Sequence, residues 1–219
     1  MNSYKYPSRA EWPALLQRPA MNTASLEASV KKILQEVKAS GDKAVKQFTQ
    51  QFDKTVVDTL LVTEEEILQA QQSLDASLKA AILSAKVNIE TFHKAQLGAS
   101  AVIETMPGVQ CWRKSVGIEK VGLYIPGGTA RLFSTILMLG VPAKLAGCKE
   151  IVLCSPPPLH PAILFAAKAV GITKVFKVGG VQAIAAMAYG TETIPAVSKI
   201  FGPGNQYVTC AKQLVQQDG

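Results

Sequence analysis

Three short segments carry residue types that could handle a ligand: Tyr124-Ile125-Pro126-Gly127-Gly128-Thr129, Gly179-Gly180-Val181-Gln182 and Gly202-Pro203-Gly204-Asn205. Glycine lets a backbone approach a ligand closely, and the amides at the start of a following helix favour an anion such as a pyrophosphate. Gln182 and Asn205 each offer a carboxamide that donates and accepts together, which suits ribose hydroxyls or an adenine edge. Tyr124 adds a flat face and a hydroxyl. The chemistry implied is recognition of a nucleotide rather than covalent attack. The four cysteines, Cys111, Cys148, Cys154 and Cys210, lie in apolar contexts with no neighbouring base, which predicts reduced, buried thiols in a cytoplasmic protein. They have no CxxC spacing, and two histidines, His93 and His160, do not make a set of three or four spaced zinc ligands.

The elements around these segments give them a common position. From Lys120 onward, β-rich runs at 121–125, 150–154, 175–178 and 199–201 alternate with Ala/Leu-rich helical runs at 134–146, 162–170, 181–189 and 205–216. Such alternation requires a parallel sheet with right-handed crossovers, because each helix must return the chain to the same end of the sheet. Ligand loops in that architecture lie at the carboxyl ends of the strands, where all three segments fall. One glycine-rich turn is explained by the turn alone, whereas three on one sheet edge favour a ligand site. Neither GxGxxG nor GxxxxGK[ST] is present. The residues by themselves therefore define an α/β domain with a nucleotide-like cleft.

Before residue 100 the pattern is helical. Leu26, Val30, Ile33 and Val37 recur at helical spacing up to a stop at Gly41, and Val45, Phe48 and Phe52 continue the period in a second short helix. Thr63-Glu64-Glu65-Glu66 spells a capping box ahead of a helix to about residue 72. Asp75 is the expected N-cap of the longest helix, with an apolar stripe at Leu78, Ile82, Ala85, Ile89 and Phe92. His93 beside the stripe reads as a surface or packing residue. Between 101 and 120 the period changes to two, and Pro107-Gly108 between two β-rich runs predicts a hairpin.

The net charge of +7 raises the question of an acidic partner. The 23 Lys and Arg are scattered, however, and no aromatic residues interleave with them as a stacking groove would need, so a nucleic-acid partner is not expected. With 48% hydrophobic and 18% charged residues the chain has an ordinary globular composition. Its longest uncharged apolar stretch, 132–143, falls short of the ~20 residues of a membrane span, and 1–16 contains no apolar run of the signal-peptide kind, so no membrane association is expected.

The run VGLYIPGGTARLFSTILMLGVPAKLAGCKEIVLCSPP at 121–157 closely resembles histidinol dehydrogenase, a zinc and NAD enzyme of histidine biosynthesis. KVGGVQAIAAMAYGTE at 177–192 and KIFGPGNQYVTCAKQLV at 199–215 resemble it equally, NIETFHKAQ at 88–96 less strongly, and FTQQFD at 48–53 weakly. The resemblance implies oxidation of L-histidinol to L-histidine through the aldehyde by two successive NAD molecules, in a cytoplasmic homodimer. It further implies that Tyr124, Gln182 and Asn205 contact NAD, the same three side chains that the strand ends single out. In that family a zinc ion holds the substrate while a Glu-His pair handles protons. Those residues and the zinc ligands match positions beyond Gly219, so no catalytic or metal-binding residue is assigned here. These 219 residues are accordingly expected to be a truncated chain, inactive alone. Their expected organisation is a helical region with a β-hairpin at 1–119, part of a discontinuous domain, followed by an incomplete Rossmann-like α/β domain with a parallel sheet at 120–219. A non-catalytic nucleotide-binding module is the alternative. Arg131, where an uncharged residue is expected, reads as surface.

Overall fold

The computed structural model describes residues 3–17, 23–98, 100–128, 132–172 and 174–218. Arg131 and Thr129 lie outside the described residues. After a short α1 (Trp12–Leu15), α2 runs over Thr23–Asp53 and buries Val30, Leu34, Val37, Ala44 and Val45 along one face. Gly41 breaks it without ending it. Its φ of 52° and ψ of −133° are non-helical, so two helical runs meet there with no loop between them. The Asp42 amide, next after the break, donates to the Glu192 carboxylate at 2.7 Å, and a Cβ on residue 41 would overlap that carboxylate.

α3 (Glu64–Ser73) starts at the capping box expected of it. The Glu66 amide donates to the Thr63 hydroxyl at 3.2 Å, and the Thr63 amide donates to the Glu66 carboxylate at 2.7 Å. α4 (Ala76–Lys94) starts at Asp75, whose carboxylate accepts from the Ser77 amide at 2.7 Å. Ile82 of the apolar stripe is buried, with Leu78, Ala85 and Ile89 packed around it. Phe92, the last of the predicted stripe, is instead exposed and meets His93 edge-on. Helical spacing names a face but not how far along the helix the covering surface extends. The hairpin forms as β1 (Ile103–Met106) and β2 (Val109–Cys111), with Gly108 at φ 81° in the turn. Every residue of its two strands is exposed, including Cys111, contrary to the expectation that all four thiols are buried. An apolar sequence context implies burial only where a second layer covers it, and no described element does so here.

The remaining elements alternate as the sequence predicts: β3 (Lys120–Tyr124), α5 (Phe133–Leu145), β4 (Glu150–Ser155), α6 (Pro161–Val170), β5 (Lys174–Lys177), α7 (Gly180–Tyr189), β6 (Lys199–Phe201) and α8 (Gln206–Gln217). The four strands form one parallel sheet in the order β5-β4-β3-β6. Side chains alternate between its faces. Val152, Cys154 and Phe176 enter a core with α2, α7 and α8, while Ile151, Leu153 and Val175 enter a second core with α5 and α6, over which α3 and α4 pack. Both faces are thus covered, as a parallel sheet requires. Gly140 lets α5 close on α6, since a Cβ there would stand 2.8 Å from Val170 Cγ1. The outer edge of β5 is covered by the segment before α3: the Val62 amide donates to the Val175 carbonyl, and the Lys177 amide donates to the Leu60 carbonyl, both at 2.8 Å.

Candidate functional site

The carboxyl ends of β3, β4 and β5, the start of α8 and the end of α2 enclose a cleft of about 920 Å³. Tyr124, Gln182 and Asn205 all line it. Tyr124 ends β3 and is almost fully buried; its hydroxyl accepts from the Gly180 amide at 3.1 Å. Burial pushes its phenol above the ordinary range despite that hydrogen bond, and the nearby Asp53 carboxylate adds to the effect. Gln182 is the third residue of α7 and is 1% exposed, yet neither its Oε1 nor its Nε2 has a hydrogen-bond partner. A buried, unpaired carboxamide is costly, and this one belongs to a residue that lines the cleft. Gly180, at φ 62°, makes room for it, because a Cβ there would approach Gln182 Oε1 to 2.8 Å.

Asn205 behaves differently from the expectation that its amide donates and accepts toward a ligand. It is the N-cap of α8, and its Oδ1 already accepts from the Tyr207 and Val208 amides at 3.0 and 3.1 Å. What it can offer the cleft is the pair of donors on Nδ2. The loop before it is held against β3: Gly202 sits at φ 131°, where a Cβ would overlap the Tyr124 carbonyl oxygen, and Lys212 donates to the Gly202 carbonyl at 2.8 Å. The loops after β3 and β5 likewise close on Pro156, since a Cβ on Gly127 would come within 2.7 Å of its Cγ and one on Gly179 within 2.5 Å of its Cβ. These glycines position one loop on another, a role the sequence did not separate from ligand approach.

Sequence reasoning missed two polar groups of the same cleft, Asp53 and Ser155. Asp53 Oδ2 and Ser155 Oγ are buried without a partner, so that four of the six such atoms among the described residues belong to cleft-lining residues. Asp53 is the last residue of α2, far in sequence from the strand ends, and only the packing of α2 against α7 brings it here. Burial holds its carboxyl above the usual carboxylate range. His160 also lines the cleft, where it caps α6 by accepting from the Ala162 amide at 3.1 Å. Cys154 lies beneath, fully buried, with its thiol pushed well above its ordinary range by desolvation, which suits packing rather than nucleophilic attack. Among the described residues lining the cleft there is no Lys or Arg. Among the described residues, too, no group of three or more His, Cys, Asp or Glu could hold a metal ion, and no helix is long and apolar enough to cross a membrane.

A doubly covered parallel sheet with a polar cleft at its strand ends defines an α/β protein of the kind that binds ligands at the carboxyl edge of its sheet. The family model described as histidinol dehydrogenase matches residues 16–218, and the chain belongs to that family. It is 62% identical over 219 residues to a histidinol dehydrogenase of Bacteroides thetaiotaomicron, covering 98% of this chain and 51% of that protein. It is 53% identical over 204 residues to the histidinol dehydrogenase of Escherichia coli K12, covering 93% of this chain and 47% of that one. The crystal structure of histidinol dehydrogenase from Elizabethkingia anophelis superposes with a TM-score of 0.92 at 48% identity, over 97% of this chain and 50% of that chain. The chain spans about half the length of the curated relatives it matches.

Proposed function

We propose that this chain forms the NAD-binding part of a histidinol dehydrogenase, which oxidises L-histidinol through the aldehyde to L-histidine in the cytoplasm as a homodimer. Family membership supports the reaction, and the unpaired Gln182 carboxamide in the cleft carries the assignment of the cofactor to these residues. Buried polar atoms with no protein partner, in a cleft large enough for a dinucleotide half, fit a ligand rich in hydroxyls and amides. Gln182 would pair both its amide atoms with such groups, Asn205 would donate from Nδ2, and Tyr124 would present its ring while its hydroxyl stays on Gly180. The N-terminus of α7, whose N-cap Gly179 brings no side chain, would face the pyrophosphate. When bound, NAD supplies the hydride acceptor for each of the two oxidations.

Zinc does not fit the residues present, because no described cluster offers three ligands, and no step is assigned to it here. In the proposed reading the zinc ligands and the proton-handling Glu-His pair belong to the part of the family's length that these residues do not span, so the 219 residues bind NAD without turning over histidinol. The same reading takes 120–219 as the Rossmann-like domain and 1–119 as part of a discontinuous one. Isothermal titration of the chain with NAD is the test. Binding that weakens about tenfold in Gln182→Ala supports the reading, since a charged or buried hydrogen bond carries about that much; no binding, or binding indifferent to Gln182, overturns it.

A further inference from the structure

Asp53 is the one charged side chain among the described residues lining the cleft. Its Oδ2 is buried without a hydrogen-bond partner, while Thr55 binds only its backbone carbonyl. Removing one carboxylate oxygen from water with nothing to accept from is unfavourable, and the fold sustains that cost beside an open cleft rather than in a closed core. The ligand group that relieves it must donate. A phosphate is excluded by like charge, and a carboxamide is already answered by Gln182. A vicinal diol donates two O–H groups to the two oxygens of one carboxylate, which is how acidic residues hold a ribose in dinucleotide sites.

The neighbour of Asp53 indicates which ribose. Phe52 lines the cleft at the adjoining position, half exposed, with its ring stacked parallel on Phe48 at 5.8 Å between centroids. A supported aromatic face beside a carboxylate matches a planar base joined to its sugar. The adenine end of a dinucleotide tolerates such a wall, whereas the nicotinamide face must stay open to the substrate.

We propose that Asp53 binds the 2′- and 3′-hydroxyls of the adenosine ribose and makes this cleft select NAD over NADP. The inference rests on the NAD reading above and adds to it a residue that fixes cofactor choice. A 2′-phosphate would set a dianion against the partly buried Asp53 carboxylate.

Isothermal titration of the unmutated chain with NAD, NADP and 2′-deoxy-NAD, repeated with Asp53→Asn, tests it. NADP and 2′-deoxy-NAD are each expected to bind at least about tenfold more weakly than NAD, the scale of one hydrogen bond to a charged group. Asp53→Asn is expected to bring NAD and NADP within about threefold of each other by removing the repulsion. Equal binding of NAD and NADP to the unmutated chain, or an unchanged ratio in Asp53→Asn, overturns the assignment. The 2′-deoxy comparison needs no variant and decides the matter if Asp53→Asn fails to fold. A chain that binds NAD in a Gln182-dependent way without discriminating NADP loses only the Asp53 assignment, whereas one that does not bind NAD loses the cofactor reading with it.

Discussion

The Tyr124 hydroxyl accepts a hydrogen bond from the Gly180 amide at 3.1 Å, joining the end of β3 to the first turn of α7. Two glycine-containing loops that are 56 positions apart are thereby fixed relative to each other, and Gln182 is carried on the same turn as Gly180. The phenol is thus a support for the cleft as well as a surface of it.

Tyr124→Phe keeps the ring and removes the acceptor, leaving the Gly180 amide without it. Unfolding in urea should show a loss of about 1 kcal/mol. NAD affinity should fall several-fold through the displaced Gln182, and calorimetry on the variant checks this. Unchanged affinity alongside reduced stability would show that Gln182 is positioned without Tyr124.

Gly202→Ala tests the closeness of the third loop to β3. The residue has φ 131°, and the new methyl would occupy the place of the Tyr124 carbonyl oxygen, which is backbone and cannot rotate away. Strain and overlap together should cost more than about 2 kcal/mol in a thermal or denaturant melt. Gly128→Ala is the contrasting case: a Cβ there would meet nothing within 4 Å, so at φ 119° only backbone strain remains, and the loss should be smaller.

The ion pair between Lys177 and Glu66, at 2.9 Å, links β5 to the cap of α3 and gives stability a pH dependence. Burial would raise the Glu66 carboxyl, but the Thr63 amide and the Lys177 ammonium overcome it and hold the group below its ordinary value. A depressed folded pKa stabilises the native state above the unfolded carboxylate pKa, and the contribution disappears as pH falls through the folded value. Denaturation midpoints measured from pH 7 downward should therefore fall more steeply in the unmutated chain than in Glu66→Gln. At neutral pH the variant should be less stable by up to about 1 kcal/mol, the scale of a lost ion pair, because glutamine at this position can still accept from the Thr63 amide. Parallel curves would mean that the pair contributes nothing to the pH dependence.

The alternation of strands and helices after Lys120 was legible because a sheet covered on both faces needs short continuous apolar runs, and each run is punctuated by glycine or proline at its end. The caps at Thr63 and Asp75 were legible because capping is a local hydrogen-bond pattern. What stayed hidden depends on distant packing. Nothing near Asp53 says that α2 will bring it beside Tyr124, and nothing near Gly41 says that Glu192, 150 positions from Asp42, will cap the break. Cys111 was misjudged for the same reason: a three-residue strand in an uncovered hairpin buries nothing, whatever its composition. At Asn205 the residue was correctly placed in the cleft, but its oxygen was spoken for by its own helix.

That double engagement means Asn205→Ala is a poor probe of ligand contact, because it removes the N-cap of α8 together with the donors on Nδ2. It should cost about 1 kcal/mol of stability and weaken NAD binding, with the two effects inseparable. Asn205→Asp separates them. Its carboxylate keeps an oxygen where Oδ1 accepts from the Tyr207 and Val208 amides, and negative charge at a helix N-terminus is favourable, so stability should be equal or slightly higher. The donors are gone, however, and a negative charge replaces them at the cleft. If Asn205 donates to the cofactor, NAD affinity in Asn205→Asp should fall by about tenfold or more while the melting temperature does not fall. Retained affinity in this variant, with a loss in Asn205→Ala alone, would identify Asn205 as a helix cap that shapes the cleft without touching what it binds.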